Sequence, residues 1–243
     1  MSELLVKEKQ VTVPGEVLAE GMDYLPGNNT YREGEKIFSS KLGLASVDGR
    51  AIKLIPLSGK YLPKEGDTII AEVIDILMSG WRVDTGSAYS AMLNMKEATS
   101  EFIQKGADLT KYYDFGDHIV CKITQVTSQM LIDVSMRGPG LRKLTGGRII
   151  RANPNKVPRI IGKKGSMVSM IKDATGCRIT VGQNGVIWLQ GEDPNMELLA
   201  VKTMRKIESE SHISGLTDRI KSFLEKETGK KISAKEGEKN DVR

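Results

Sequence analysis

The sequence predicts a mainly β chain with one α+β module. An amino-terminal β unit spans residues 1–62, a five-stranded barrel spans 63–140, and a module of strand-helix-helix-strand-strand-helix order spans 145–228. Three observations carry this reading. Short alternating apolar runs punctuated by Gly, Pro, Asn and Asp fill residues 10–60. A Gly-Asp pair introduces a long alternating run twice, at Gly66-Asp67 and at Gly116-Asp117. Two helical patterns beyond residue 154 are separated by Gly162-Lys163-Lys164-Gly165.

In the first unit the runs are Val11/Val13, Val17/Ala19, Ile37/Ser39 and Ala51/Lys53/Ile55/Leu57. Pro14-Gly15, Pro26-Gly27-Asn28-Asn29 and Asp48-Gly49 between them predict hairpins, with no room for a helix and no chemistry. In the second unit IIAEVIDI, Gly80–Thr85, Ala88–Leu93, IVCKITQV and Met130–Met136 make five strands, with a polar, irregular or helical insertion at Lys96–Tyr113. Five short strands with a long link before the fourth suit an OB barrel. If Val83 faces the core, Trp81 shares its face by the period of two. The third unit reads as strand Arg148–Asn153, helix Asn155–Ile161, helix Gly165–Thr175 closed by Gly176, strands Arg178–Val181 and Val186–Gln190 about a Gly182–Gly185 turn, and a helix from Asn195 to about Ser209. Met167, Val168, Met170 and Ile171 line one helix, and Met196, Leu199, Met204 and Ile207 the other, as core stripes. Leu216–Glu227 is an amphipathic helix candidate, and residues 229–243 form a polar tail with almost nothing to bury.

The charge is local. From Arg137 to Lys172 there are ten Lys or Arg and no Asp or Glu. Removing those ten bases leaves 26 against 31 acids, so the rest of the chain is net −5 while the whole is +5. One sign dominating a segment that also holds the glycine turn favours a polyanionic partner. Gly162 and Gly165 carry no Cβ to hold a phosphate away, the helix after them opens with free N–H groups, and Lys163 and Lys164 supply charge.

Other classes are disfavoured. No apolar run is long enough for a membrane span, and MSELLVKEKQVTVPGE lacks the apolar core of a secretory signal, so a soluble cytoplasmic protein without a membrane partner is expected. Cys121 and Cys177 are far apart and predict two reduced core thiols. His118 and Cys121 point to opposite sides of a strand, so no metal site and no cofactor is expected. Asp75, Asp84 and Asp133 read as turn or strand-surface residues, and the sequence has no Walker loop or Ser/His/Asp set.

The glycine loop in its order of elements resembles that of a KH domain, of the eukaryotic-style arrangement. The Gly-Asp strands with Gly-Trp-Arg-Val-Asp, followed by a strand ending at Asn94, are similar to an S1-type OB domain. The family's exposed aromatic and histidine, used for stacking on bases, are replaced here by Arg82 and Asn94. With Lys122 and Arg137 these suit phosphate contact and weak base selectivity. A β unit, one S1-type barrel and one KH domain in that order resemble the RNA-binding cap subunits of the archaeal RNA exosome, and an archaeal source follows from the Gly-Lys-Lys-Gly form of the loop.

The resemblance implies a non-catalytic subunit that recruits single-stranded RNA. Three such subunits would cap a hexameric ring of RNase-PH-like chains and thread RNA into its 3'-5' exoribonuclease sites for degradation and processing. The implied RNA-binding residues are Arg159, Gly162, Lys163, Lys164 and Gly165 in the KH module, and Arg82, Asn94, Lys122 and Arg137 on the barrel. Residues 1–62 are left for docking. A free-standing S1/KH translation or transcription factor, or a nuclease in its own right, would use the same modules.

Overall fold

The computed structural model describes residues 2–229 apart from 102, 105, 212 and 214, so the predicted polar tail lies outside the described residues. The chain divides into two units, Met1–Gly59 and Lys60–Arg243. The first holds eight short strands: β1 (Glu3–Leu4), β2 (Val11–Thr12), β3 (Val17–Glu20), β4 (Leu25–Pro26), β5 (Thr30–Glu33), β6 (Lys36–Ser39), β7 (Gly43–Asp48) and β8 (Ala51–Pro56). They form two four-stranded sheets, β1-β3-β6-β5 and β2-β7-β8-β4. Val6, Leu18, Ala19, Ile37, Ala45 and Ile52 make its core.

Asp48-Gly49 does close a hairpin, since Asp48 pairs with Ala51. The other two turn signals do not. After Pro14-Gly15 the chain passes from β2, paired with β7, to β3, paired with β1 and β6. Before Gly27, β4 runs parallel to β8 and leaves β5 for the other sheet. β2 and β4 are two residues long and expose Val11 and Leu25, so their pairing is decided by partners far along the chain.

The second unit opens with a barrel of β9 (Thr68–Leu77), β10 (Gly80–Asp84), β11 (Ser90–Asn94), β12 (His118–Val126) and β13 (Ile132–Ser135). Their order is β13-β11-β10-β9-β12, and a β12–β13 pairing closes the circle. The period of two is kept all round: Ile69, Ala71, Val73, Trp81, Val83, Ala91, Leu93, Ile119, Cys121, Ile123, Ile132 and Val134 point inward. The link between β11 and β12 contains one helical turn, α1 (Met95–Ala98), and a 3-10 turn at Leu109–Lys111. It is less polar in effect than its composition suggests, because Ala98, Ile103, Leu109 and Tyr113 fill the barrel core. Trp81 is fully buried, meets Tyr113 edge-on at 5.1 Å and donates Nε1–H to the Tyr113 carbonyl at 2.9 Å. A sixth strand, β14 (Arg142–Leu144), which sequence periodicity did not mark, extends the sheet beside the first residues of β12.

The second module follows in the predicted order: β15 (Arg148–Arg151), α2 (Val157–Ile161) after a 3-10 turn at Pro154–Lys156, a 3-10 turn at Lys163–Gly165, α3 (Ser166–Thr175), β16 (Arg178–Val181), β17 (Val186–Gln190), α4 (Pro194–Glu210) and α5 (Leu216–Thr228). Its sheet is antiparallel in the order β15-β17-β16. The local rules are kept at the ends. Asp193 accepts from the Asn195 N–H with Pro194 in the first turn of α4, and Gly176, at φ 67°, ends α3 by donating to the Lys172 carbonyl. Met167, Met170, Leu199, Met204, Ile207, Ile220 and Leu224 are buried together with Ile187 and Leu189 of β17.

The two modules of this unit share a seam. β10 pairs with β9 only as far back as Asp84–Glu72, so Thr68 to Ala71 have β12 on one side and no strand on the other. The Gly182–Gly185 turn fills that gap. Gln183 N–H donates to the Thr68 carbonyl at 2.9 Å, and Thr68 N–H donates to Gln183 Oε1 at 2.7 Å. Asn184 Nδ2 donates to the carbonyls of Ile70 and Thr85, each at 2.8 Å, while its Oδ1 accepts from Ile70 N–H at 3.4 Å. The carboxamide thus behaves as a peptide group of a missing strand. Behind it Ile70, Val120, Leu144, Val186 and Trp188 form a separate buried cluster. The approach needs Gly182: a Cβ there would lie 2.4 Å from Asn184 Oδ1 and 2.7 Å from the Ile70 nitrogen.

Cys121 and Cys177 are both free and buried, and burial pushes the Cys121 thiol up to about 12. Both thiols are closed off from solvent, and for Cys121 the reactive thiolate is suppressed as well, so neither cysteine should react with a thiol reagent at pH 8 in the folded protein. Both should become reactive together with the loss of structure in a urea titration followed by thiol labelling; rapid labelling of Cys121 before unfolding would contradict the burial.

Candidate nucleic-acid interface

The loop after α2 is built by backbone geometry. Gly162 has φ 76° and ψ 175°, a region closed to residues with a Cβ, and any Cβ there would lie 2.7 Å from both the nitrogen and the Cβ of Met167. Gly165 is left-handed at φ 80°, with open space where a Cβ would stand. Between them Lys164 is also left-handed, at φ 53° and ψ 29°. The result is a tight turn that carries Lys163 and Lys164, both exposed, over the start of α3. No side chain caps that helix, and its first N–H, that of Ser166, donates to the Lys163 carbonyl inside the turn. Arg159 is exposed one turn earlier, in the last turn of α2. Among the described residues, Arg159, Lys163 and Lys164 have no acidic partner within ion-pair distance.

The rest of the basic segment does not form one face. Lys143 pairs with Asp117, and Arg148 lies 3.7 Å from Glu197. Lys156 donates to the Glu208 carbonyl, Arg137 donates to the Thr99 carbonyl at 3.3 Å, and Arg142 sits over the Trp188 ring at 5.6 Å. Half of the run therefore braces structure. The acids that answer it, Asp117 and Glu197, come from outside the segment, which is why a count within the segment overstates its free charge.

On the barrel, strand register places the other residues. Arg82 lies beside Met92, and Met92 beside Asp133, on the outer surface. In the neighbouring row Asn94 follows the Leu93–Val134 pair, next to Ser135, which pairs with Lys122. Arg82, Asn94 and Lys122 thus share one outward sector, and Arg137 continues from Ser135 at its end. Arg82, Asn94, Lys122 and Arg137 are all exposed. The sector is mixed in sign, because Asp75 stands opposite Arg82 on β9 and Asp133 lies one strand beyond Met92. These acids, and Met92 between them, were missed as neighbours because strand register is not written in a local pattern. Trp81 points inward and offers no ring to a ligand.

His118 faces outward with Nδ1 3.1 Å from the Gly116 carbonyl, while Cys121 is in the core. Among the described residues no three His, Cys, Asp or Glu are gathered as a metal site, and no helix is long and apolar enough to cross a membrane.

Comparison with known proteins adds two family models and a set of relatives. Residues 148–211 match the KH domain, and residues 9–58 match the exosome RNA binding protein RRP4 N-terminal domain. The chain is 45% identical over 222 residues to the exosome complex component Rrp4 of Methanothermus fervidus, covering 91% of this chain and 97% of that protein. It is 43% identical over 227 residues to the protein of the same name from Pyrococcus furiosus, covering 92% and 86%. A solved structure described as that of an exosome complex RNA-binding protein superposes with a TM-score of 0.62 at 32% identity, covering 70% of this chain and 97% of that one.

The two glycines of the loop are held for different reasons, and substitution separates them. Gly162→Ala meets both a forbidden conformation and the Met167 backbone, and should cost about 2–4 kcal/mol. Gly165→Ala meets only the left-handed conformation and should cost about 1–2 kcal/mol. Urea unfolding of the two variants measures the difference; equal costs would mean that the loop is not held in this geometry.

Proposed function

Since the chain belongs to the exosome complex component Rrp4 family, we propose that it is a non-catalytic RNA-binding cap subunit. In this reading it recruits single-stranded RNA and passes it to a ring of RNase-PH-like chains, three caps to a hexamer, in the cytoplasm. The observation that carries it is the Gly162–Gly165 loop, where two lysines without acidic partners stand exposed at the start of α3. Such a loop attracts phosphates while leaving the bases unread. Arg159 lies on the approach to it. The outward sector of the barrel with Arg82, Asn94, Lys122 and Arg137 adds a second stretch of contact, weaker because Asp75 and Asp133 interrupt it.

The domain roles follow the same division. Residues 63–140 and 145–228 are the two RNA modules, and residues 1–62 dock on the ring. The docking role is supported by an apolar row on the outside of the second sheet of the amino-terminal unit. Val11 pairs with Leu44, and Leu44 with Ile55, so the three lie abreast. Val11 is 56% and Ile55 52% exposed, in a position where a solvated sheet face would carry polar residues.

Replacing Lys163 and Lys164 by Asp tests the loop. Each lost phosphate contact should flatten the slope of log affinity against log salt by roughly 0.7 for single strands, so the double variant should lose about 1.4 and bind more weakly. Both side chains are exposed, so its thermal melt should match the parent. A folded double variant with full affinity and slope would make the loop a mere helix connector and move the RNA to Arg82, Lys122 and Arg137.

Val11→Asp with Ile55→Asp tests docking. Two charges in the apolar row should abolish co-purification with RNase-PH-like subunits and leave single-stranded RNA binding intact, as measured by pull-down and by fluorescence anisotropy on the same preparation. Loss of RNA binding with retained assembly would reverse the roles.

A further inference from the structure

We infer that Tyr89 is a base-stacking residue, whose ring, with Leu131 at the same rim, takes an unpaired base of single-stranded RNA at the end of the barrel's outward sector. The inference rests on the RNA-binding role proposed above and adds to it a contact made with the face of a base instead of a phosphate.

Most described rings of the larger unit already have work in the fold. Trp81 and Tyr113 meet edge-on in the barrel core, Tyr112 packs against that core, and Tyr61 donates to Asp67. Trp188 is buried with Arg142 over its ring, and Lys206 lies over Phe223. Tyr89 and Phe115 differ, being 40% and 62% exposed. Among the described residues neither side chain has a hydrogen-bond, ring or cation partner.

Their surroundings decide between them. Phe115 sits among carboxylates: its N–H donates to Asp114 Oδ1, and the Asp114 N–H donates to Asp117 Oδ2. A phosphate backbone is repelled there. Tyr89 lies within residues 85–94, which hold no Lys, Arg, Asp or Glu, and residues 123–132 hold none either. β11 and β13 run parallel with Ala91 paired to Ile132, which brings Ser90 abreast of Leu131 and Tyr89 to the same rim. Two uncharged stretches side by side, in a chain of which 28% is charged, make a surface suited to bases.

Both loops hold their apolar side chains outward. Thr85 Oγ1 donates to the Tyr89 carbonyl at 2.7 Å, and Tyr89 N–H donates to Ser87 Oγ at 3.0 Å, so the main chain is fixed and the ring is left over. In the other loop Leu131 N–H donates to Thr127 Oγ1 and Thr127 N–H to the Leu131 carbonyl, each at 3.0 Å. Met130 between them is left-handed at φ 60°, where Gly or Asn is usual, and backbone strain of this kind gathers at ligand sites. Leu131 is left 64% exposed. From this rim the outer faces of β11 and β13 lead through Met92 and Asp133 to Asn94 and to Ser135, the partner of Lys122. A strand whose phosphates follow Lys122 and Arg137 can therefore lay a base on Tyr89.

The test separates bases from phosphates. A single-stranded RNA of about 12 nucleotides and an abasic ribose-phosphate oligomer of the same length are titrated against the full chain and its variants at several salt concentrations. Tyr89→Ala should lose roughly tenfold on the RNA and nothing on the abasic oligomer, with an unchanged slope of log affinity against log salt, because stacking releases no counterions. Tyr89→Phe keeps a ring and should bind as the parent does. Leu131→Ala should lose less than Tyr89→Ala, and Phe115→Ala nothing. Thermal melts identify a damaged fold, and Tyr89→Leu, apolar but without a ring, takes the place of Tyr89→Ala if that variant melts early. In a folded variant, full RNA affinity, an equal loss on both oligomers, or the same loss in Phe115→Ala overturns the stacking role and leaves RNA binding standing. Unchanged RNA binding with lost co-purification of RNase-PH-like subunits makes the rim a protein contact and overturns it too. A parent that binds neither oligomer overturns the RNA-binding reading itself, and this inference with it.

Discussion

A side-chain amide offers the same donor and acceptor as a peptide group, and the larger unit of this chain depends on that equivalence at Asn184. The barrel's second strand separates from the first at Asp84–Glu72, leaving the peptide groups of Thr68 and Ile70 facing a gap. A buried peptide group without a partner costs about 1–3 kcal/mol, so a gap beside two such residues has to be filled. The KH turn fills it, with Gln183 presenting main chain and side chain and Asn184 presenting its carboxamide. The same requirement accounts for Gly182, whose role is to let one backbone come against another.

From this junction the electrostatics of the two surfaces diverge. In the Gly162–Gly165 loop, charge is concentrated on lysines without acidic partners and adds to the positive end of the α3 dipole. On the barrel, Arg82 is flanked by acids: Asp75 stands opposite it, and Asp133 lies one strand past Met92. In the proposed function the loop then supplies most of the salt-dependent attraction, and the barrel guides a strand that is already held. Trp81 contributes to neither, because its ring and its N–H are both satisfied inside the barrel.

The amino-terminal unit obeys different logic. Its strands are too short to bury a face each, and it is held by six small to medium apolar side chains between two sheets. An apolar row on the outside of such a unit leaves it incompletely covered, which fits a role in assembly better than one in binding a polyanion.

The sequence by itself determined the order of elements in the KH module, the inward alternation of the barrel strands including Trp81, and the position of the glycine loop. Each of these follows from a period or from a residue's own conformational limits, which act within a few neighbours. It did not determine the partners of β2 and β4, where Pro14-Gly15 and Pro26-Gly27 turn the chain from one sheet to another, because two-residue strands carry no register signal. Nor did it reveal that half of the basic segment is engaged by Asp117, Glu197, two carbonyls and an indole ring. The turn at Gly182–Gly185 was legible as a turn, but its use as a substitute strand was not. That use exists only because β10 leaves β9 early, some 100 residues before the turn in the chain and a peptide group left open in one module can be answered only once both modules are folded.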